Sequence, residues 1–379
     1  MNNNNNNILI LAGETSGDMH GSALVSAMLK DNSKLQFYGI AGDNMIAEGV
    51  NPLFHIKDMA FLGFVEVIKH LPFIFKVEKT ILDFVKLNKI KLAVLIDYPG
   101  FNLRIAKKLK ALGTKIVYYI SPQIWAWHQN RIKKIKARVD KMLVVFPFEK
   151  KFYEHGQVPV EYVGHPLVER IDKFNFITKE ELFAKLNIDK EILLILPGSR
   201  KHEIEQLLPK LTAAATIVGK KNNLQIVVAC ADNFKTDYLE QFIKSDKIKV
   251  VKGSTYNLLK HSKFGIIKSG TSTLEAAIIG LPFVAVYSTS KFTYTIGKRL
   301  IKIDHIAMPN IVAGKTVVKE FIQDDVNEKI ISEYIISFLN DNKALDNLKA
   351  ELNKIKNKLG GNGASVNAAK IIETMLNEV

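Results

Sequence analysis

Short runs of apolar residues, each about one strand long, alternate with longer amphipathic segments from residue 8 onward. The runs include residues 8–12, 37–40, 92–96, 115–120 and 142–146. A more polar stretch, 169–190, follows Pro166, and the alternation then restarts at 192–196, 225–229, 247–251, 264–267 and 283–287. Strand-length apolar runs separated by helical patterns predict parallel sheets with helices on both faces. The restart predicts two such sheets, and 379 residues at about 150 per domain suit two domains. The two halves also begin alike. Ile8-Leu9-Ile10-Leu11-Ala12-Gly13 parallels Leu193-Leu194-Ile195-Leu196-Pro197-Gly198, a buried strand running into a glycine turn before a helix. The expected layout is a low-complexity tail over 1–7, a first domain over 8–168, a second over 169–325 and C-terminal helices over 326–379.

Composition narrows the partners. With 47% hydrophobic and 24% charged residues the chain is ordinary globular material, which excludes disorder over most of its length. Its 53 lysines and arginines against 38 acids leave a net charge of +15. That excess favours an anionic partner: nucleic acid, an acidic membrane surface or a phosphorylated small molecule. One cysteine, Cys230 in an apolar run, excludes an intrachain disulfide and a cysteine zinc cluster and reads as a buried core residue. The nine histidines contain no His-x-x-x-His pair, which argues against a zinc site. No apolar stretch approaches the ~20 residues of a membrane span, and residues 8–12 are too short and lack the basic flank of a signal peptide. A cytosolic chain is expected.

In open α/β sheets, ligands bind beyond the carboxyl ends of the strands, and five segments there carry the candidate chemistry. Gly13-Glu14-Thr15-Ser16-Gly17-Asp18 suits an anionic or polyhydroxylated substrate at a helix N-terminus. The Thr15–Asp18 spacing equally fits a capping box. Asp97-Tyr98-Pro99-Gly100-Phe101-Asn102 puts a carboxylate at a strand end, as a general base requires, or is an Asx-turn entering a proline loop. Pro197-Gly198-Ser199-Arg200 offers backbone N–H groups and a guanidinium to a diphosphate, or is a plain turn with a solvated arginine. Lys268-Ser269-Gly270-Thr271-Ser272-Thr273-Leu274-Glu275 offers hydroxyls and N–H groups to phosphate oxygens, and Glu275 could accept both hydroxyls of a ribose. Ser272 and Glu275 are also spaced as a capping box. Ser121-Pro122-Gln123-Ile124-Trp125-Ala126-Trp127-His128 holds both tryptophans, for sugar stacking, an acyl channel or the core. The basic run from Arg131 to Arg138 reads as a solvated helix face without the aromatic interleaving of a nucleic-acid platform. The very apolar stretch 61–76, with its lysines, is either a core helix or a surface that meets lipid.

Several fingerprints are missing: G-x-G-x-x-G after a strand, G-x-x-x-x-G-K-[ST], G-x-S-x-G and Asp-x-Asp.

Taken in order, segments 12–18, 61–67, 97–102, 121–127, 196–200 and 269–275, with Gly164-His165-Pro166-Leu167 and Pro309-Asn310-Ile311-Val312-Ala313-Gly314, resemble the lipid-A-disaccharide synthase family. Two departures are small: Lys268 stands where many members have a small residue, and Lys319 where proline is usual. The resemblance implies a GT-B glycosyltransferase with two Rossmann-like domains facing across a cleft. It implies that UDP-2,3-diacylglucosamine is joined to 2,3-diacylglucosamine 1-phosphate, giving a β-1,6-linked disaccharide 1-phosphate and UDP. It further implies no metal and no cofactor, no nucleic-acid partner, and work at the anionic cytosolic face of the inner membrane. A homodimer is carried as one expectation of assembly.

Residue by residue, the resemblance makes Asp97 the base. Gly198, Ser199, Arg200, Ser269, Gly270, Thr271, Ser272, Thr273, Glu275 and Asn310 become donor contacts. Glu14, Thr15, Ser16, Gly17, Asp18 and Asn102 become acceptor or sugar contacts, and Phe61, Phe64, Phe73 and Phe75 face lipid. Two rivals remain from the residues alone: a UDP-N-acetylglucosamine 2-epimerase-like isomerase, and a non-catalytic binder of anionic lipid.

Overall fold

The computed structural model describes residues 6–59, 70–290, 294–295, 304–361 and 363–378. They form two compact units, residues 1–169 with 359–379, and residues 170–358. The first unit holds a seven-stranded parallel sheet in the order β3-β2-β1-β4-β5-β6-β7. Its strands are β1 (Asn7–Ala12), β2 (Gln36–Ala41), β3 (Val50–His55), β4 (Leu92–Ile96), β5 (Lys115–Tyr119), β6 (Lys141–Val144) and β7 (Val160–Tyr162). The second unit holds a six-stranded parallel sheet in the order β10-β9-β8-β11-β12-β13. Those strands are β8 (Ile192–Leu196), β9 (Gln225–Cys230), β10 (Lys249–Lys252), β11 (Phe264–Lys268), β12 (Phe283–Tyr287) and β13 (Glu320–Ile322).

The central strands β1, β4, β8 and β11 are almost wholly buried apolar residues, because helices cover both faces of each sheet. Cys230 is buried in the second core, as its apolar run implied.

Strand order locates the sites. In each sheet the winding reverses once, between β1 and β4 in the first and between β8 and β11 in the second. At such a reversal the neighbouring turns diverge to opposite faces and leave a crevice for ligand. Ala12 pairs with Ile96 and Leu196 with Ile267, so the turns after these strands begin side by side.

The C-terminal stretch, expected as one helical tail, is divided between the units. Helices Glu328–Leu339 and Asn342–Lys358 pack on helices Lys201–Asn222 and Thr271–Ile279 of the second unit. Helix Ala364–Asn377 packs on helix Thr15–Asp31 of the first. There buried Glu169 accepts hydrogen bonds from the backbone N–H (3.1 Å) and hydroxyl (2.5 Å) of Ser365. Among the described residues no helix is long and apolar enough to cross a membrane.

Candidate functional site

The first crevice is built around a strained turn. Asp97 and Tyr98, just past β4, both have left-handed backbone, with φ of +43° and +46°. Such conformations are costly for residues with side chains and persist only when the surroundings enforce them. Here they do. The Asp97 N–H donates to Tyr119 O (3.0 Å), and its carbonyl accepts from the Tyr118 hydroxyl (2.5 Å) and Asn102 Nδ2 (2.8 Å). The Tyr98 ring lies over Gly13, where a Cβ would come within 2.1 Å of it. Glycine at 13 is therefore a demand of Tyr98.

Burial, then the negative charge of Glu14, raises the Asp97 carboxyl to about 6, against one opposing hydrogen bond from the Tyr98 backbone. A carboxylate with that affinity for protons is suited to take one near neutral pH. Glu14, Thr15 and Ser16 are exposed at the mouth of the same turn. Gly17 is buried against Ala12 and Ile96.

Two of the residues expected on the acceptor side are bonded to the protein's own backbone. Asp18 is buried and accepts from the backbone N–H groups of Gly42 (2.7 Å), Asn44 (3.1 Å) and Met45 (3.1 Å) and from Asn44 Nδ2 (2.8 Å). It anchors the neighbouring helix Asp43–Ala47, and the expected Thr15–Asp18 capping box is not formed. Asn102 is buried and spends its amide on the carbonyls of Ile96 (3.1 Å) and Asp97. It shapes the turn that carries the base.

Of the tryptophans, Trp125 is core and donates to buried Glu149 (3.1 Å), while Trp127 is 46% exposed. Glu149 also accepts from the Ser121 hydroxyl (2.6 Å), and burial raises its carboxyl to about 7. His165, buried, is pushed down to about 3, chiefly by desolvation and then by His20, so it is neutral. Lys133, Lys134 and Lys136 are exposed on helix Ile132–Arg138, the solvated face expected of that run.

The second crevice is a pocket of about 180 Å³ at the ends of β8, β9 and β11. Gly198, Ser199, Gly270, Thr271 and Ser272 line it, together with Glu203 and Lys268. Ser269 and Thr273 are buried and tie the loop, their hydroxyls donating to Ile306 O (3.0 Å) and Gly270 O (2.7 Å). Arg200 is not a lining residue. Its side chain is 73% exposed and its nearest carboxylate, Glu203, is 3.8 Å away.

Glu275 does not cap its helix, which starts at Thr271 after Gly270. It accepts from the Tyr256 hydroxyl at 3.0 Å, and burial raises its carboxyl. Asn310 is tied to its own loop. Its amide donates to Val318 O (2.9 Å) and Glu320 (2.8 Å), and its oxygen accepts from the N–H groups of Val317 (2.8 Å) and Val318 (2.9 Å). All four hydrogen-bonding positions of its side chain are used, so it braces the loop before β13.

Sequence reasoning passed over Lys268, Glu203 and Tyr256 as site residues. The available signal was a charged residue ending an otherwise apolar strand. Phe61 and Phe64 lie outside the described residues. Phe73 is half-buried, edge-on to Phe54 at 6.1 Å, and Phe75 is 54% exposed beneath the Arg104 guanidinium at 4.6 Å. Among the described residues no cluster of three or more His, Cys, Asp or Glu is arranged to hold a metal.

The family model described as lipid-A-disaccharide synthetase matches residues 8–373. The chain is 39% identical to the lipid-A-disaccharide synthase of Geobacter metallireducens over 98% of both chains. It is also 39% identical to that of Nitrosococcus oceani, over 97% of this chain and 96% of the other. Solved structures share the two-domain GT-B type of fold at much lower identity. The UDP-GlcNAc 2-epimerase of Neisseria meningitidis, bound to UDP-GlcNAc, aligns with a TM-score of 0.63 at 13% identity, over 98% of this chain and 100% of that one. CalG4, the calicheamicin glycosyltransferase, aligns at 0.60 and 14%, over 99% of each chain. The likeness to the epimerase is one of fold alone.

Proposed function

The chain belongs to the lipid-A-disaccharide synthase family and is a glycosyltransferase, and from that premise we propose how its residues carry out the transfer. The donor is UDP-2,3-diacylglucosamine, the acceptor 2,3-diacylglucosamine 1-phosphate, and the product the β-1,6-linked disaccharide 1-phosphate with release of UDP. Asp97 accepts the proton of the acceptor 6-hydroxyl as its oxygen attacks the anomeric carbon. UDP departs from the opposite face, which inverts that carbon.

The observation that carries this reading is the turn at Asp97. A half-buried carboxylate, raised to about 6, is fixed by a strained and heavily hydrogen-bonded backbone at a topological switch point. Glu14, Thr15 and Ser16 hold acceptor hydroxyls or phosphate beside it. On the donor side the diphosphate lies at the start of helix Thr271–Ile279, where backbone N–H groups and the Thr271 and Ser272 hydroxyls meet the charge that develops on the leaving phosphate. Glu275, with Tyr256 on one oxygen, takes the ribose. Arg200, at the rim, meets the outer phosphate. Phe73 and Phe75 lie beside the stretch that meets the acyl chains at an anionic bilayer, with the protein peripheral on the inner face of the inner membrane.

The test is incubation with both substrates in mixed micelles, following UDP and the disaccharide phosphate by mass. One UDP per disaccharide is expected, and none without acceptor. Donor epimerised in the absence of acceptor, or binding without turnover, would overturn the reading.

A further inference from the structure

We propose that Lys268 is the cation that grips the donor diphosphate, held in place by buried Glu203 as its positioning residue; this rests on the donor reading above. Among the described residues, Lys268 is the one cationic side chain lining the pocket at the ends of β8, β9 and β11. It ends β11, two residues before Gly270, and its side chain is only 16% exposed. Its Nζ sits 2.7 Å from Glu203 Oε1 and 5.9 Å from the centre of the Tyr287 ring. Those contacts fix a side chain that otherwise wanders on four rotatable bonds. Arg200, the cation expected from sequence, is solvated.

Two of the helix starts that line the pocket differ in a way that places the anion. Helix Lys201–Asn222 already carries an acid, Glu203, in its first turn, and that carboxylate accepts the Ser199 N–H at 3.3 Å. Its N-terminal field is therefore met from within the protein. Helix Thr271–Ile279 has no acid in its first turn and is preceded by Gly270 with no side-chain cap. A phosphate settles on the second helix start, next to Lys268.

Glu203 explains how a largely buried ammonium is tolerated before the donor arrives. An ammonium has three protons, so Lys268 keeps one on Glu203 and turns another to a phosphate oxygen. The site gains a fixed positive charge without the loss of a pairing, and the nucleotide's phosphates rather than its uridine supply that part of the affinity.

Calorimetric binding of UDP and of uridine tests this in wild type, Lys268→Met and Lys268→Met/Glu203→Gln. A charge-assisted contact predicts that both variants lose about 10- to 100-fold in UDP affinity and keep uridine within about threefold. If Lys268 only neutralises Glu203, the double variant binds UDP as wild type does, and the proposal falls. Equal losses for UDP and uridine would overturn it too, because Lys268 would then only shape the pocket. Should Lys268→Met fail to fold, the double variant, which leaves no unpaired buried charge, carries the comparison alone. Wild-type protein that binds neither ligand would refute the donor site itself, an outcome distinct from all of these.

Discussion

The two switch points share a topology and differ in chemistry. Each is a pair of buried parallel strands, β1 with β4 and β8 with β11, whose turns open onto a crevice. At the first, the side chains brought together are acids, and burial, then the charge of Glu14, raises the Asp97 carboxyl to about 6. At the second, the acid has been given a partner: Glu203 is paired with Lys268 and bonded by the Ser199 N–H. A buried carboxylate without a cationic partner holds protons tightly and serves proton transfer, whereas one paired with a lysine holds that ammonium in the crevice. One architecture thus holds an acid without a cationic partner at one crevice and an acid–lysine pair at the other.

The largest effect expected from breaking this contrast is at Asp97. Asp97→Asn keeps the size of the side chain but cannot take a proton, so turnover should fall by about 10²–10⁴-fold with UDP affinity unchanged. A folded variant within about threefold of wild-type rate would move the base to Glu14, because Asp18 is fully engaged in structure. Asp18→Asn sharpens the same point. It should show as lost stability of about 1.5–3 kcal/mol in chemical denaturation, since one of its present donors would face an amide N–H₂ group. Loss of turnover at full stability would return Asp18 to the chemistry.

On the donor side, Glu275→Ala should weaken UDP about tenfold or more in calorimetry, through loss of a charge-assisted bond to the ribose. Unchanged affinity would leave Glu275 as no more than the partner of Tyr256.

A smaller effect is a gain. The folded Asp97 carboxyl titrates at about 6, above its ordinary 3.8. The native state therefore holds that proton more tightly than the unfolded chain, and wild-type stability falls as pH rises through this window. Asp97→Asn should be more stable than wild type by about 3 kcal/mol at pH 8, with most of the gain gone by about pH 4. A constant difference across that range would mean the carboxyl is not strained by its surroundings. Smallest of all, Phe75→Ser should lower binding to anionic vesicles about fivefold without changing stability. Phe73→Ser, packed on Phe54, should instead cost stability. Equal destabilisation by both would make this segment core.

The central strands were legible because burial on both faces leaves an unbroken apolar run, as at 8–12 and 192–196. Three strands gave no such run: β3, with Pro52, and the short β7 and β13. All three lie at sheet edges, where one side has no partner strand and polar residues are tolerated. The turns after β1, β4, β8 and β11 were also legible, because glycine and strand ends mark them. What their side chains bond to was not. Thr15–Asp18 and Ser272–Glu275 have capping-box spacing, yet Asp18 reaches a helix 25 residues on and Glu275 reaches back to Tyr256. Local spacing cannot show a partner brought near only by folding. Asn310 and Asn102 entered as ligand contacts through the family resemblance, which gives no sign that their side chains also brace the backbone of a loop.

The account stands most directly on the pH dependence of kcat/KM for disaccharide formation, measured for wild type and Asp97→Asn in parallel. This quantity reports ionisations of the free enzyme, and the ratio of the two rates cancels ionisation of the substrate phosphates. If Asp97 is the base, the ratio is large and level above about pH 7 and shrinks about tenfold per pH unit below about 6, where the wild-type carboxyl takes its own proton. A ratio that stays constant from about pH 5 to about pH 8 would contradict it.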